Sequence, residues 1–197
     1  MRENLPEVQE ILPDSASIAE TQEREQGKKR YRKTLITTLL VLAASVAAAL
    51  LLANVWMPVL PIYGKSMEPT LVGGEIVVAI KTTRIEAGDV IAFDLNNKLL
   101  IKRVIGTGGD KINVAEDGTV FVNDEKTDEP YLTAKHSGEP NIALPYEVAE
   151  GTYFVMGDNR EKSVDSRHGT VGCVTEEQLI GKVVLRVWPM SRFGLVK

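Results

Sequence analysis

The chain has 197 residues, 44% of them hydrophobic and 25% charged, which suits one medium-sized folded domain with appendages. Its net charge of −4 comes without any basic stripe interleaved with aromatics, so nucleic acid is excluded as a partner. A single cysteine, Cys173, and two histidines, His136 and His168, rule out an intrachain disulfide and are too few for a zinc site, so no metal or other cofactor is expected.

Residues 1–27 carry seven acids against two bases and few large apolar groups, so 1–33 is expected to be a disordered tail. From Thr34 to Gly64 there is no charged residue. The 21 residues from Leu35 to Val55 would span about 31 Å as a helix, one hydrocarbon thickness. Trp56, Pro58 and Pro61 mark an interfacial exit, and 34–57 is expected to be a transmembrane anchor. A cleaved signal peptide is the rival, but the polar leader is too long for one and the apolar run exceeds the usual 7–15 residues. Lys28, Lys29, Arg30, Arg32 and Lys33 crowd the N-terminal flank, which puts the N-terminus in the cytosol and residues 58–197 outside.

The rest reads as mostly β, with antiparallel, coiled or barrel-like sheets. Short β-branched or aromatic runs fall at Glu75–Ile80, Val90–Phe93, Leu99–Ile105, Lys111–Val114, Thr119–Asn123, Tyr153–Met156 and Lys182–Trp188. Turn signals at Gly73-Gly74, Gly88-Asp89, Asn96-Asn97 and Gly106-Thr107-Gly108-Gly109 separate them. Asp117-Gly118 predicts a two-residue hairpin turn, and Thr175 with Gln178 a capping box opening one short helix. The polar, proline-bearing stretch from Glu125 to Pro145 looks like an insertion, so about 107–150 is expected to be a smaller inserted β subdomain.

Three places can carry chemistry. Ser66, in Gly64-Lys65-Ser66-Met67-Glu68-Pro69, sits just past the membrane exit, and Pro69 would stiffen its loop. A serine hydroxyl attacks only when a base takes its proton, and a serine in such a turn is by itself most often turn chemistry. Lys102 lies in Leu99-Leu100-Ile101-Lys102-Arg103-Val104-Ile105, apolar on both strand faces. If it faces inward, burial favours the neutral amine, and the adjacent Arg103 presses the same way. Otherwise both cations sit on a rim with only their stems packed. Gly157 to Arg167 packs two Asp, two Arg and two Ser into a short run after a strand; it is either a solvated loop or a set of Asp–Arg pairs that rigidify a site.

Taken together, Ser66-Met67-Glu68-Pro69-Thr70-Leu71, Gly88-Asp89-Val90, Lys102-Arg103-Val104-Ile105-Gly106 with Gly109-Asp110, and Gly157 to Arg167 resemble the ordered boxes of bacterial type I signal peptidases. The resemblance implies a membrane-bound serine endopeptidase that removes signal peptides from secretory preproteins after Ala-x-Ala-type sites, through an acyl-enzyme, with the lipid bilayer as its other partner. It also implies a Ser–Lys dyad, with Ser66 as nucleophile and Lys102 as general base. Ser163 would orient Lys102, while Asp158, Arg160, Asp165 and Arg167 would shape the site. Leu60, Ile62, Met67, Leu71, Val77 and Ile101 would form shallow apolar pockets for small side chains. Ser66 N–H would be one oxyanion donor. Some family members place a serine hydroxyl two residues before the nucleophile as a second donor, but this chain has Gly64 there. Three other readings fit fewer residues: a Ser-His-Asp triad through His168, a self-cleaving Ser–Lys repressor without its DNA-binding module, and a silent peptide-binding domain.

Overall fold

The computed structural model of the chain describes residues 15–196. Helix α1 runs Ser15–Trp56, and within it Lys28–Leu51 is long and apolar enough to cross a membrane. The helix begins inside the segment expected to be a disordered tail. Residues 15–33 are rich in Ala, Glu, Gln, Lys and Arg and contain no proline, so low hydrophobicity denies them a core without denying them a helix that propagates from the apolar run. Residues 1–14 lie outside the described residues.

A separate compact unit, Leu52–Lys197, holds the sheets. Among the described residues its strands are β1 (Val59–Pro61), β2 (Ile76–Ile80), β3 (Val90–Leu95), β4 (Lys98–Thr107), β5 (Lys111–Val114), β6 (Val120–Val122), β7 (Glu125–Lys126), β8 (Tyr146–Glu147), β9 (Thr152–Met156), β10 (Val174–Thr175), β11 (Leu179–Trp188) and β12 (Gly194–Leu195). All pairings are antiparallel, which makes the unit mostly β. The large sheet has the order β1-β2-β11-β3-β4-β9-β10, with β12 added to β11; the small sheet, β7-β6-β5-β8, is built from residues 111–147.

The turn at Asp117-Gly118 differs from the expected two-residue form. β5 and β6 close at Val114 and Val120, leaving five residues in the loop. Asp117 accepts hydrogen bonds from Thr119 N–H at 2.8 Å and its hydroxyl at 3.0 Å, which draws Thr119 out of the strand and into the turn. Gly118, at φ +83°, supplies the left-handed step. The capping signal holds on its glutamine side: Thr175 N–H donates to Gln178 Oε1 at 2.9 Å, opening a single 3-10 turn, Glu176–Gln178.

The strands position the site through their alternation. One face of β2, β3 and β11 sends Val77, Ala79, Val90, Ala92 and Val183 into a core that also takes Ile62, Met67 and Leu71 from the β1–β2 connection. That connection is therefore fixed by its own buried apolar residues.

Candidate active site

Ser66 stands on the β1–β2 connection, whose ends are pinned by Ile62 N–H to Glu75 O at 2.8 Å and Gly74 N–H to Ile62 O at 3.0 Å. Within it, Leu71 N–H donates to Met67 O at 2.8 Å, giving a helical turn that starts directly after the serine. Glu75, buried at the foot of β2, holds the loop to the far strand. Its carboxylate accepts Val72 N–H at 3.1 Å and pairs with Arg186 at 3.3 Å and Arg192 at 2.6 Å. Arg186 also reaches Thr70 O at 2.9 Å. Gly64, at φ +81°, makes the turn before the serine in a conformation that L side chains rarely adopt.

Lys102 comes from the middle of β4 and is 3% exposed, so the rim alternative is ruled out. Its Nζ lies 2.8 Å from Ser66 Oγ, the only hydrogen bond it makes among the described residues. An ammonium buried with one partner is poorly solvated, and burial accordingly lowers the Lys102 pKa to about 8. Asp165 and Asp158 oppose that shift and Arg167 assists it. The assisting cation is thus Arg167; Arg103, expected in that role, is turned away onto Asp158.

Within the Gly157–Arg167 run Asp158, Arg160, Ser163, Asp165, Ser166 and Arg167 are buried and interlocked, while Glu161, Lys162 and Val164 face solvent. Asp165 and Arg167 close on each other through two bonds of 2.8 and 2.9 Å, and Asp165 also takes Gly157 N–H at 3.0 Å. Burial would raise the Asp165 pKa, but the Arg167 bonds and charge outweigh it and hold the carboxyl below its ordinary range. Asp158 and Arg160 find partners outside the run. Asp158 receives Arg103 through bonds of 2.8 and 2.7 Å. Arg160 pairs with buried Glu129 and donates through Nε to Gly157 O at 3.1 Å. Asn159 N–H donates to Ser66 O at 3.0 Å, so this loop also holds Ser66 in place.

Ser163, expected to orient Lys102, is buried and donates its N–H to Asn159 O at 3.0 Å, but its hydroxyl makes no well-formed hydrogen bond and sits against Gly157 and the Asp165 carboxylate. The six apolar candidates gather in one cluster with the β2–β3–β11 core. Ile62, Met67 and Ile101 line a cleft of about 60 Å3 together with Gly64, Ser66 and Lys102. Leu71 and Val77 are fully buried in the cluster and do not line the cleft, and Leu60 packs at the cluster's edge.

Beside this cleft β4 has an open edge. Residues 98–102 pair with β3 on one side, while β9 pairs the other side only from Arg103 onward. His168 makes no hydrogen bond to Ser66 among the described residues. Cys173 packs with a third apolar cluster, and burial raises its thiol pKa.

Sequence reasoning missed two residues of the insertion. Glu129 supplies the counter-ion of Arg160, and Tyr131 donates its hydroxyl to Glu129 at 3.0 Å while its ring lies 3.9 Å from the Arg103 guanidinium. A charge count could have found the first. Arg103, Arg160 and Arg167 are three buried cations, and the Gly157–Arg167 run offers only Asp158 and Asp165 as buried carboxylates.

A model of the family described as signal peptidase, peptidase S26, matches residues 33–188. Signal peptidase IB of Staphylococcus aureus (strain Mu50 / ATCC 700699) is 36% identical over 182 residues, covering 82% of this chain and 94% of the relative. Signal peptidase I of Bacillus licheniformis is 34% identical over 184 residues, covering 87% and 96%. Among solved structures, a signal peptidase I from Enterococcus faecalis V583 is 29% identical, covers 52% of this chain and 98% of its own, and gives a TM-score of 0.41.

Proposed function

The chain belongs to the signal peptidase family, peptidase S26, whose members are hydrolases that cleave signal peptides as serine proteases, and on that premise we propose that it works through a Ser66–Lys102 dyad at a membrane surface. Neutral Lys102 takes the Ser66 proton as Oγ attacks the scissile carbonyl. Ser66 N–H and a second backbone amide of the Gly64–Ser66 turn hold the oxyanion, since Gly64 offers no hydroxyl. The C–N bond breaks, Lys102 protonates the leaving amine, and the same lysine then takes a proton from the water that hydrolyses the ester. When Lys102 carries the proton, the buried, unpartnered Ser163 hydroxyl is available to accept a hydrogen bond from it.

Substrate specificity follows from the same cleft. An extended peptide adds to the open edge of β4, which gives main-chain hydrogen bonds for any sequence. The shallow cleft beside Ser66 is walled by Ile62, Met67 and Ile101, an apolar lining that supports selection of small side chains of the Ala-x-Ala type. Helix α1 anchors the enzyme in the bacterial plasma membrane with the N-terminus cytosolic and the β unit outside, as the Lys28–Lys33 cluster favours.

The observation that carries the reading is the 2.8 Å contact between Ser66 and a buried lysine whose pKa lies near 8. The test is to incubate the detergent-solubilised chain, Ser66→Ala and Lys102→Ala with a preprotein and to sequence the new N-terminus. Cleavage after an Ala-x-Ala site by the parent alone is expected. Cleavage by either variant at the parent rate would overturn the dyad.

A further inference from the structure

The open edge of β4 ends where β9 takes it over. Arg103 pairs with Met156, and the chain runs from there directly into Gly157–Glu161. A substrate extended along residues 98–102 is therefore turned off the sheet at Ser66. What lies there is a second hollow of about 310 Å3, walled by Glu68 and Pro69, the 158–161 loop and the 133–136 segment. Two of these walls adjoin the nucleophile: Glu68 stands two residues beyond Ser66, and Asn159 N–H is bonded to Ser66 O at 3.0 Å.

Charge in the hollow is unevenly committed. Asp158 is paired with Arg103 and Arg160 with Glu129. Lys135 Nζ donates to the Thr119 hydroxyl at 3.2 Å, and His136 Nδ1 accepts Gly138 N–H at 2.9 Å, so each already has a partner outside the hollow. Glu161 is exposed at the rim. The half-buried Glu68 carboxylate makes no ion pair or hydrogen bond among the described residues, and it is the acid nearest in sequence to the reacting serine.

We propose that this hollow holds the first residues of the released mature chain, and that Glu68 receives the α-ammonium created by cleavage. The proposal rests on the dyad reading. In acylation the Ser66 Oγ–carbonyl bond forms and the C–N bond breaks, and the proton taken from Ser66 passes through Lys102 to the leaving nitrogen. The amine so formed, with an ordinary pKa of about 7.7–8.0, takes a second proton from water. Before cleavage this nitrogen is a neutral amide, so a carboxylate at its exit distinguishes product from substrate for every preprotein alike. A protonated amine has no lone pair, and held by Glu68 it cannot re-attack the acyl-enzyme while water does.

The test separates binding from chemistry. A fluorescently labelled decapeptide matching a mature N-terminus, and its des-amino analogue, are titrated at pH 7 against the full-length Ser66→Ala chain and against Ser66→Ala/Glu68→Gln. The free-amine peptide is expected to bind Ser66→Ala about tenfold tighter, the size of one charge-assisted hydrogen bond, and the ratio is expected to fall below about twofold in the double variant. Equal binding of the two peptides to Ser66→Ala, a preference that survives Glu68→Gln, or no binding at millimolar peptide would each overturn the proposal. Preprotein cleavage by Ser66→Ala would instead overturn the dyad and leave the binding ratio to be read on its own terms.

Discussion

At the scale of single residues the site is a compromise between stability and reactivity, and Lys102 carries most of it. Its pKa falls from 10.5 to about 8, so the unfolded chain holds the proton more tightly than the folded one. The resulting penalty, about 3 kcal/mol at 1.36 kcal/mol per unit, is complete below pH 8 and fades as pH rises through 10.5. Lys102→Met is expected to stabilise the fold by up to that amount at pH 7 in urea unfolding, to lose the gain above pH 10.5, and to cleave nothing. Equal stability of variant and parent at both pH values would mean the amine is not desolvated. If Lys102 is the base, as proposed, the same lowered pKa should make kcat/KM rise about tenfold per pH unit up to about 8 and then level off, since the amine acts only when neutral. Lys102→Arg should be inactive at every pH, because a guanidinium does not give up its proton. Asp165 works in the opposite sense. Its depressed pKa contributes stability that is present above the ordinary carboxylate range and lost as pH falls from that range through the lower folded value. Asp165→Asn leaves Arg167 buried without its counter-charge, at a cost of about 3–5 kcal/mol, and should flatten the acid limb of the stability profile.

At the scale of elements, what the sequence hides is the insertion's part in the site, not the insertion itself. The strands around the dyad are legible because β-branched runs such as Val90–Phe93 and Leu99–Ile105 are bounded by Gly-Asp and Asn-Asn turns. β1, β7, β8, β10 and β12 are two or three residues long, below the length at which alternation declares itself, and pairing with a longer neighbour alone makes them strands. That Ser66, Lys102 and the Gly157–Arg167 run come together is legible because a proposed nucleophile, base and scaffold have chemical types that make sense side by side. Glu129-Pro130-Tyr131 has no such local reason. It sits in a polar stretch and becomes part of the site only through contacts with Arg160, 31 residues away, and with Arg103. This strap ties the small-sheet region to the catalytic loop. Glu129→Gln should therefore destabilise the fold by about 3–5 kcal/mol, since Arg160 is left buried and uncompensated. Tyr131→Phe keeps the ring over Arg103 and should cost about 1 kcal/mol, and Tyr131→Leu about 2 kcal/mol more. Melting curves read the stability, and preprotein cleavage below the melting range reads the catalytic loop. A Glu129→Gln chain as stable as the parent would mean that the strap is only a surface loop.

At the scale of the whole molecule, helix and β unit solve different halves of one problem. A cleft of about 60 Å3 and a strand edge that accepts any backbone give little affinity for a particular substrate. Under the proposed topology the bilayer supplies the rest, because an anchored preprotein and an anchored enzyme meet at an effective concentration set by the membrane. Under that topology the helix end at Trp56, only ten residues before Ser66, makes a short tether between the proposed nucleophile and the membrane. Under the same proposal Trp188, Met190, Phe193 and Leu195, exposed from the end of β11 through the following turn to β12, give the β unit a second means of association. A fragment of residues 52–197 should thus cleave a short soluble peptide at the full-length rate, yet act on a preprotein in vesicles on the order of a hundredfold more slowly. Replacing Trp188, Met190 and Phe193 with serine in that fragment should slow the vesicle reaction further and leave the soluble one untouched, since none of the three lines the cleft. Equal rates of fragment and full chain on vesicle-bound preprotein would remove the membrane from the mechanism and require the cleft alone to supply specificity.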